Sequence, residues 1–320
     1  MLYDIIGDIH GQAGKLEDLL ITMGYSFDGE RGCWAHPTRT VLFVGDFVDR
    51  GPEQLRTLGI VKGMVENGEA KAVLGNHEFN AIAWFERDPQ NLGQHLRKHT
   101  DKNFHQHQRF LEEVGDGSPT HKYWIDWFYT LPLWIDEDVR VIHACWHTPS
   151  MDALKDQLGP HNTLTPQLVE KASRKGSAEY DAVELLCKGM EVALPNGVVF
   201  VDKQGVARTQ TRTAWWNERL TTYKQASLVN KELAEQLPDD PIPLHSLVNY
   251  DNVKPLFFGH YWMTGAPRIL GDKLCCVDYS AAIGDHPLVG YRFDGEKQLE
   301  VHKFVSSTAP TVSEQRKVSP

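Results

Sequence analysis

The chain reads as an α/β protein organised on parallel strands, and three features of its 320 residues carry that reading. Apolar runs alternate with stretches of helical period through the first 80 residues, in the order β-α-β-α-β-α. That order implies parallel strands joined by right-handed crossovers. Short apolar runs also end repeatedly on Gly-Asp, Gly-Asn or His, residues that turn the chain or bind metals. The composition, 41% apolar and 24% charged, is that of an ordinary globular chain. Its length suffices for one large domain or two small ones with a sizeable core.

Taken in order, Leu2–Ile6 is a short strand, and Gln12–Met23 is a helix with Leu16, Leu19 and Leu20 on one face. Thr40–Val44 is the second strand. Pro52 opens the next helix, where a first-turn proline removes no needed donor, and Gly68 lies just past its end. Lys71–Leu74 is the third strand and Glu78–Phe85 a helix. Residues 90–135 read mostly as helix. Tyr123, Trp124, Trp127, Phe128 and Trp134 recur at helical spacing as core, while His95, His99, His105 and His107 read as a solvated face. Val139–His143 is a strand. From about 148 to 250 the pattern shifts to helices near 164–174 and 178–189 joined by polar loops, with Pro238, Pro241 and Pro243 further on. We expect a largely helical insertion or cap there, within a single domain of residues 1–305. Leu256–Phe258, Lys273–Val277 and Leu288–Phe293 return to strand character, and Leu299–His302 adds one more. Residues 306–320 form a polar, frayed tail.

Charge and cysteine usage exclude several classes. A net charge of −10 and a pI near 5.8 disfavour extended nucleic acid as a partner. Five cysteines without regular spacing give neither a disulfide framework nor a paired zinc motif. Cys275 and Cys276 are adjacent and point to opposite faces of a strand. No stretch reaches membrane-span length, and the chain enters a strand at once without a signal-like region. A reduced, cytoplasmic setting and no membrane partner are the expectation; oligomeric state is not readable.

Five motifs in fixed order carry the chemistry: Gly7-Asp8-Ile9-His10, Gly45-Asp46-Phe47-Val48-Asp49-Arg50-Gly51, Gly75-Asn76-His77-Glu78, His143-Ala144 and Gly259-His260. Each follows an apolar run, so each sits where a strand ends, and a sheet that aligns those ends brings them together. Singly, each is an ordinary turn or a satisfied histidine. Jointly, carboxylate, amide and imidazole ligands gathered in one place describe a divalent-metal site, and a two-metal site above all. Asp46 is placed to bridge two metals, and Asn76 offers a neutral oxygen.

The motifs GDIHG, GDFVDRG, GNHE, HA and GH, in this order, resemble the calcineurin-like metallophosphoesterases. More narrowly they resemble the phosphoprotein phosphatase branch, with its phage-lambda-type phosphatases and symmetrical diadenosine tetraphosphatases. The likeness covers roughly residues 1–85, 137–147 and 255–295. It implies a four-layer α/β/β/α sandwich of two mixed sheets, with a dinuclear site at the strand-end loops. It implies that Asp8, His10 and Asp46 hold one metal, and Asp46, Asn76, His143 and His260 the other, with manganese favoured over iron, zinc or magnesium. His77 would be the general acid, Asp49 its orienter and Arg50 a grip on phosphate oxygens. Arginine's planar fork suits that last task.

The sequence departs from the family pattern near three of these residues. Ala144-Cys145-Trp146 follows His143 where glycine is usual, and Trp146 either walls the site or packs against the insertion. Cys145 reads as a small buried hydrophobe. Tyr261-Trp262 follows His260, and Trp262 stands where the second histidine of a phosphodiesterase-type ending would be. The second substrate arginine of lambda-type enzymes follows a Trp-Asn pair. Here Trp215-Trp216-Asn217-Glu218-Arg219 puts Glu218 at that position, so Arg219 is the choice and Arg212 the reserve. The expected activity is metal-dependent hydrolysis of phosphomonoesters, on a phosphoprotein or a small phosphorylated metabolite, by in-line attack of a metal-bound hydroxide. The alternatives are a symmetrical dinucleoside polyphosphate hydrolase, using Trp146, Trp215, Trp216 or Trp262 to stack a base, and an inactive metal- or phosphate-binding protein.

Overall fold

A computed structural model describes residues 1–201, 207–217 and 219–307 of the chain. The fold is mixed α/β. One sheet runs in the order Phe304–Ser306, Val289–Phe293, Tyr3–Ile6, Thr40–Phe43, Ala70–Ala72. Its last three strands are parallel, as the alternating pattern requires, and Val289–Phe293 joins antiparallel to Tyr3–Ile6. The second sheet runs Leu274–Cys276, Leu256–Phe258, Arg140–Ile142, Trp134–Asp136. It is parallel except at the Trp134–Asp136 edge.

Alternation along the strands decides what each face touches. Tyr3, Ile5, Leu42 and Val44 of the first sheet share one apolar cluster with Val141, Phe257, Cys275 and Val277 of the second. The intervening residues Ile6, Val41, Phe43, Phe258 and Cys276 belong to a larger cluster that includes the helices. Cys275 and Cys276 thus part to opposite faces, and all five cysteines are buried and free. Helices α1 (Ala13–Thr22) and α2 (Gln54–Glu66) present Leu16, Leu19, Leu20, Leu58 and Val61 to that larger cluster. Burying such side chains contributes roughly 1.5–3 kcal/mol each.

Helix α3 (Asn76–Phe85) begins directly at the third motif. Two more helices occupy the next segment, α4 (Asp101–Val114) and α5 (Pro119–Phe128), each started by a side-chain cap, Thr100 and Ser118. Trp124, Trp127 and Phe128 are core as expected, whereas Tyr123 is half exposed beneath the Lys62 ammonium. The histidines of this segment do not form one solvated face. His107 is buried, His99 stacks on Trp84 at 3.6 Å, and His105 is exposed. The buried set His107, Phe110, Leu111 and Val114 falls at i, i+3, i+4 and i+7, the inward stripe of α4.

In residues 148–250, helices α6 (Thr148–Leu154), α7 (Pro166–Ala172) and α8 (Ala178–Lys188) occupy only the first part. Beyond Lys188 come two-stranded pairings, short turns and a small apolar cluster of Val192, Leu194, Tyr223, Ala226, Leu237 and Ile242. The helices that recur there are short, Tyr223–Ala226 and Lys231–Ala234, because Pro195, Pro238, Pro241 and Pro243 interrupt any long one. At the C-terminal end, the strand expected at Leu299–His302 is displaced. Val301–Lys303 forms a 3-10 turn and the strand is Phe304–Ser306. The Glu300 N–H donates to the Tyr291 hydroxyl and Phe304 packs edge-on to the Tyr291 ring, which fixes the later segment at the sheet edge. Glu218 and most of the expected tail lie outside the described residues.

Candidate metal centre

The five motifs meet at one end of the strands, laced by backbone hydrogen bonds. The Ile9 and His10 N–H groups donate to the Asp46 carbonyl, Gly51 N–H to the His10 carbonyl, and Gly259 N–H to the His143 carbonyl. Glu78 serves as a buried anchor. Its carboxylate accepts N–H groups from Asp46 at 2.9 Å, Phe47 at 2.8 Å and Gly75 at 3.0 Å, tying the second and third motifs together. The loops are strained: His10, Asp46, Asp49, Arg50, His260 and Trp262 all hold positive φ, from 47° to 73°. Non-glycine residues adopt that region rarely and at a cost, and they gather at functional sites. Gly259 is required by space as well, since a Cβ there would stand 2.0 Å from Asp8 Oδ1.

Asp46 is the centre of the arrangement. Its Oδ2 lies 3.5 Å from His10 Nε2, 3.3 Å from His143 Nε2 and 3.9 Å from His77 Nε2. Its Oδ1 accepts the His77 N–H at the start of α3, where the helix dipole favours a negative charge. Asn76 Oδ1 lies 3.1 Å from His143 Nε2. Asp8 Oδ2 accepts the His260 N–H at 3.0 Å. Potential ligand atoms of His10, Asp46 and His77, and of Asp46, His143 and His260, converge within 4.8 Å in each group.

The donor set fits a divalent cation. His10 Nδ1 donates to the Val48 carbonyl and His143 Nδ1 to the Val44 carbonyl, which turns each Nε2 lone pair inward. His10 Nε2, His260 Nε2 and Asp8 Oδ1 are buried without a hydrogen-bond partner among the described residues. Lone pairs aimed at one another with no proton between them are costly unless a cation lies between. The electrostatics show the crowding around Asp46, which raises the His143 imidazole against burial. Burial, then Asp278 and Asp46, push the Asp8 carboxyl well up. Burial, then Arg50 and His77, push the His10 imidazole well down, and burial with Arg212 and His143 does the same to His260. Against burial, His143 and His77 hold the Asp46 carboxyl well below its ordinary range.

Beside this cluster, His77 Nδ1 donates to Asp49 Oδ2 at 2.5 Å, and Arg50 Nη2 lies 3.4 Å from His77 Nε2. The Arg50 guanidinium lies over Trp262, 3.6 Å from the ring centroid. The other tryptophans face inward. Trp146 is buried under the Arg140 guanidinium, and Trp215 and Trp216 pack on Phe258. Cys145 is fully buried, and burial pushes its thiol well up. Arg219 is exposed, with its backbone N–H on Asn217 Oδ1. The charge of Arg212 is felt at His260 and Tyr261, although its side chain also reaches Glu191 at 3.4 Å.

Sequence reasoning missed three contributors. Asp278 is buried, accepts the Trp262 and Ser280 N–H groups at 2.6 and 2.9 Å, and faces Arg50 electrostatically. Its signal was the same as for the other motifs, a carboxylate at the end of the apolar run Leu274–Val277. Gln54 holds the Asp49 N–H at 2.7 Å and donates to the Gly51 carbonyl. His107 donates from Nδ1 to Asp49 Oδ1 at 2.6 Å.

With this geometry established, the comparison with known families is direct. The family model for calcineurin-like phosphoesterases matches residues 1–180, more than half of the chain, and the chain belongs to that family. Among curated relatives it is similar to bis(5'-nucleosyl)-tetraphosphatase PrpE (asymmetrical) of Halalkalibacterium halodurans, with 44% identity over 78 residues, 24% of this chain and 31% of that protein. The protein of the same name from Oceanobacillus iheyensis is 30% identical over 146 residues, 45% of this chain and 55% of that protein. The chain therefore matches between about a third and about half of the length of these relatives. In fold, it is similar to a serine/threonine protein phosphatase of Saccharomyces cerevisiae with similarity to human phosphatase PP5. That structure has a TM-score of 0.50 at 15% identity, covering 99% of this chain and 82% of that one. Among the described residues, no helix is long and apolar enough to cross a membrane.

Proposed function

We propose that the protein is a two-metal phosphomonoesterase, and that its two sheets form the inner layers of a four-layer α/β/β/α sandwich carrying the site at one edge. The observation that carries the reading is the Asp46 carboxylate set between His10 and His143, with the His77–Asp49 pair beside it. Asp8, His10 and Asp46 would hold one cation, and Asp46, Asn76, His143 and His260 the other. Hard oxygens mixed with imidazoles favour manganese while admitting iron, zinc or magnesium. Bound there, divalent cations polarise a phosphoryl group and make a water nucleophilic near neutral pH.

The remaining steps belong to the chain. Arg50, held over the Trp262 ring, grips the non-bridging oxygens. His77 delivers a proton from Nε2 to the leaving oxygen, with Asp49 fixing the ring through Nδ1. Residues 148–250 act as a cap within one domain, bearing on substrate choice. Of the two candidate substrate arginines, Arg219 and Arg212, the charge of Arg212 felt at His260 supports Arg212.

A second reading, hydrolysis of a dinucleoside polyphosphate, is favoured by the name of the partial-length relatives. Against it, Trp146, Trp215 and Trp216 are buried, and one face of Trp262 is engaged by Arg50. The test is a panel of p-nitrophenyl phosphate, phosphopeptides, diadenosine tetraphosphate and bis-p-nitrophenyl phosphate with added manganese. The proposal expects the monoesters to turn over. Turnover of the tetraphosphate alone would establish the second reading, and no turnover with any divalent metal would leave a binding protein.

A further inference from the structure

We propose that His107 is a positioning residue for the acid, acting through Asp49 to hold the His77 ring at the angle that presents Nε2 to the leaving group. The inference rests on the reading of His77 as the proton donor.

Both oxygens of Asp49 are taken by imidazoles: Oδ2 by His77 at 2.5 Å and Oδ1 by His107 at 2.6 Å. Its own N–H is held by Gln54 at 2.7 Å, and its backbone sits at φ 72°. A carboxylate bonded on one oxygen can swing about its last torsion, carrying its partner with it. Bonded on both, it cannot. His107 comes from α4, an element outside the five motifs, so the clamp ties the helical layer to the site. The proton on His107 is fixed as well. A carboxylate offers only lone pairs, so Nδ1 must carry the hydrogen that reaches Asp49.

A packing role alone does not explain an imidazole here. His107 is 3% exposed and lies against Phe110 at 4.9 Å and Trp84 at 6.1 Å between ring centroids. A leucine would fill such an apolar pocket without burying polar atoms. Burying an imidazole is costly unless its N–H finds an acceptor, and the acceptor found is the residue that orients His77.

The test compares His107→Leu, His107→Asn and His107→Gln in the manganese-loaded protein, on an alkyl phosphate that needs a proton on departure and on 2,4-dinitrophenyl phosphate, which does not. For His107→Leu, kcat on the alkyl ester should fall about 10- to 100-fold, as for other outer-sphere positioning groups, while the activated ester changes less than about threefold. Asparagine places an amide N–H near the position of Nδ1 and should restore most of the rate, whereas glutamine places it a carbon further out and should not. In His77→Asn/His107→Leu the second change should add nothing to the first, since both act through one proton transfer. Equal losses on both esters, additive losses in the double variant, or equal behaviour of asparagine and glutamine would each overturn the proposal. His77→Asn alone separates the two readings. If it shows no difference between the esters, the acid assignment fails; if it does and His107→Leu does not, only this inference fails. Should the leucine variant not fold, the asparagine–glutamine pair carries the decision.

Discussion

The strand-end loops of the metal centre and the segment following Lys188 are both irregular backbone, yet different forces hold them. In the loops, buried carboxylates do the fixing: Glu78 takes four N–H groups, Asp278 takes two, and Asp8 takes the His260 N–H. Six non-glycine residues there tolerate positive φ. The later segment is held by a modest apolar cluster and by exposed ion pairs such as Lys224 with Glu235. Such pairs contribute little. Irregular chain serves precise chemistry only where polar groups over-determine it, because apolar packing alone leaves torsions free.

The largest test of that contrast is chemical. His77→Asn should lower kcat on alkyl phosphates by roughly 10²–10⁴-fold while leaving metal content, read by elemental analysis, unchanged. A comparably large loss from Leu237→Ala in the later cluster would break the comparison.

A matched pair of glycines sharpens it. Gly259→Ala drives a methyl against Asp8 Oδ1, and should cost about 1–3 kcal/mol in urea unfolding and about 10- to 100-fold in manganese affinity by calorimetry. Gly197 lies in the later segment at φ 72° with nothing within 4 Å of an added Cβ. Gly197→Ala should cost on the order of 1 kcal/mol for the left-handed backbone and nothing in metal affinity.

Metal itself should stabilise one region and not the other. Manganese at about 100 times its Kd should raise the unfolding free energy by roughly 2.7 kcal/mol, and EDTA should remove that gain. The increment should survive Leu237→Ala and vanish in Asp46→Asn; the reverse would place the site elsewhere.

A buried histidine outside both regions calibrates the pH dependence. His121 Nδ1 accepts the Gly117 N–H, and burial lowers its pKa to about 4. Between about 4 and its ordinary value the unfolded chain therefore binds the extra proton, so stability rises with pH across that window and is lost as pH falls through it. The effect is on the order of 3 kcal/mol. His121→Phe should flatten the unfolding midpoint between pH 4 and 6.5, and an unchanged slope would assign the effect to the site carboxylates.

The smallest effect expected is at the rim. Arg212→Ala should raise KM severalfold, about 1 kcal/mol of lost contact to the substrate anion, and Arg219→Ala should leave it unchanged. The opposite result would restore Arg219 as the substrate arginine.

Much of the candidate site was legible in the sequence. Asp8, His10, Asp46, Asn76, His77, His143 and His260 each follow an apolar run, and strand ends in a parallel sheet share one edge, so order along the chain sufficed to gather them. The α/β class and the first three strands followed from periods of 2 and 3.6 for the same local reason. Family likeness supplied roles that spacing could not.

Long-range contacts decided the rest. His107 and Asp49 are 58 residues apart and meet because α4 lays its inward stripe against the loops. The histidine composition of that segment looks solvated until the stripe is seen. Trp146, Trp215 and Trp216, stacking candidates only under the alternative reading, turn inward and are buried. Trp262 alone is recruited, by the Arg50 cation. A sequence records which atoms can bind a metal or move a proton, since that is a property of single side chains. Which of them face one another depends on helix docking and side-chain burial, and those are settled by the packing of the whole chain.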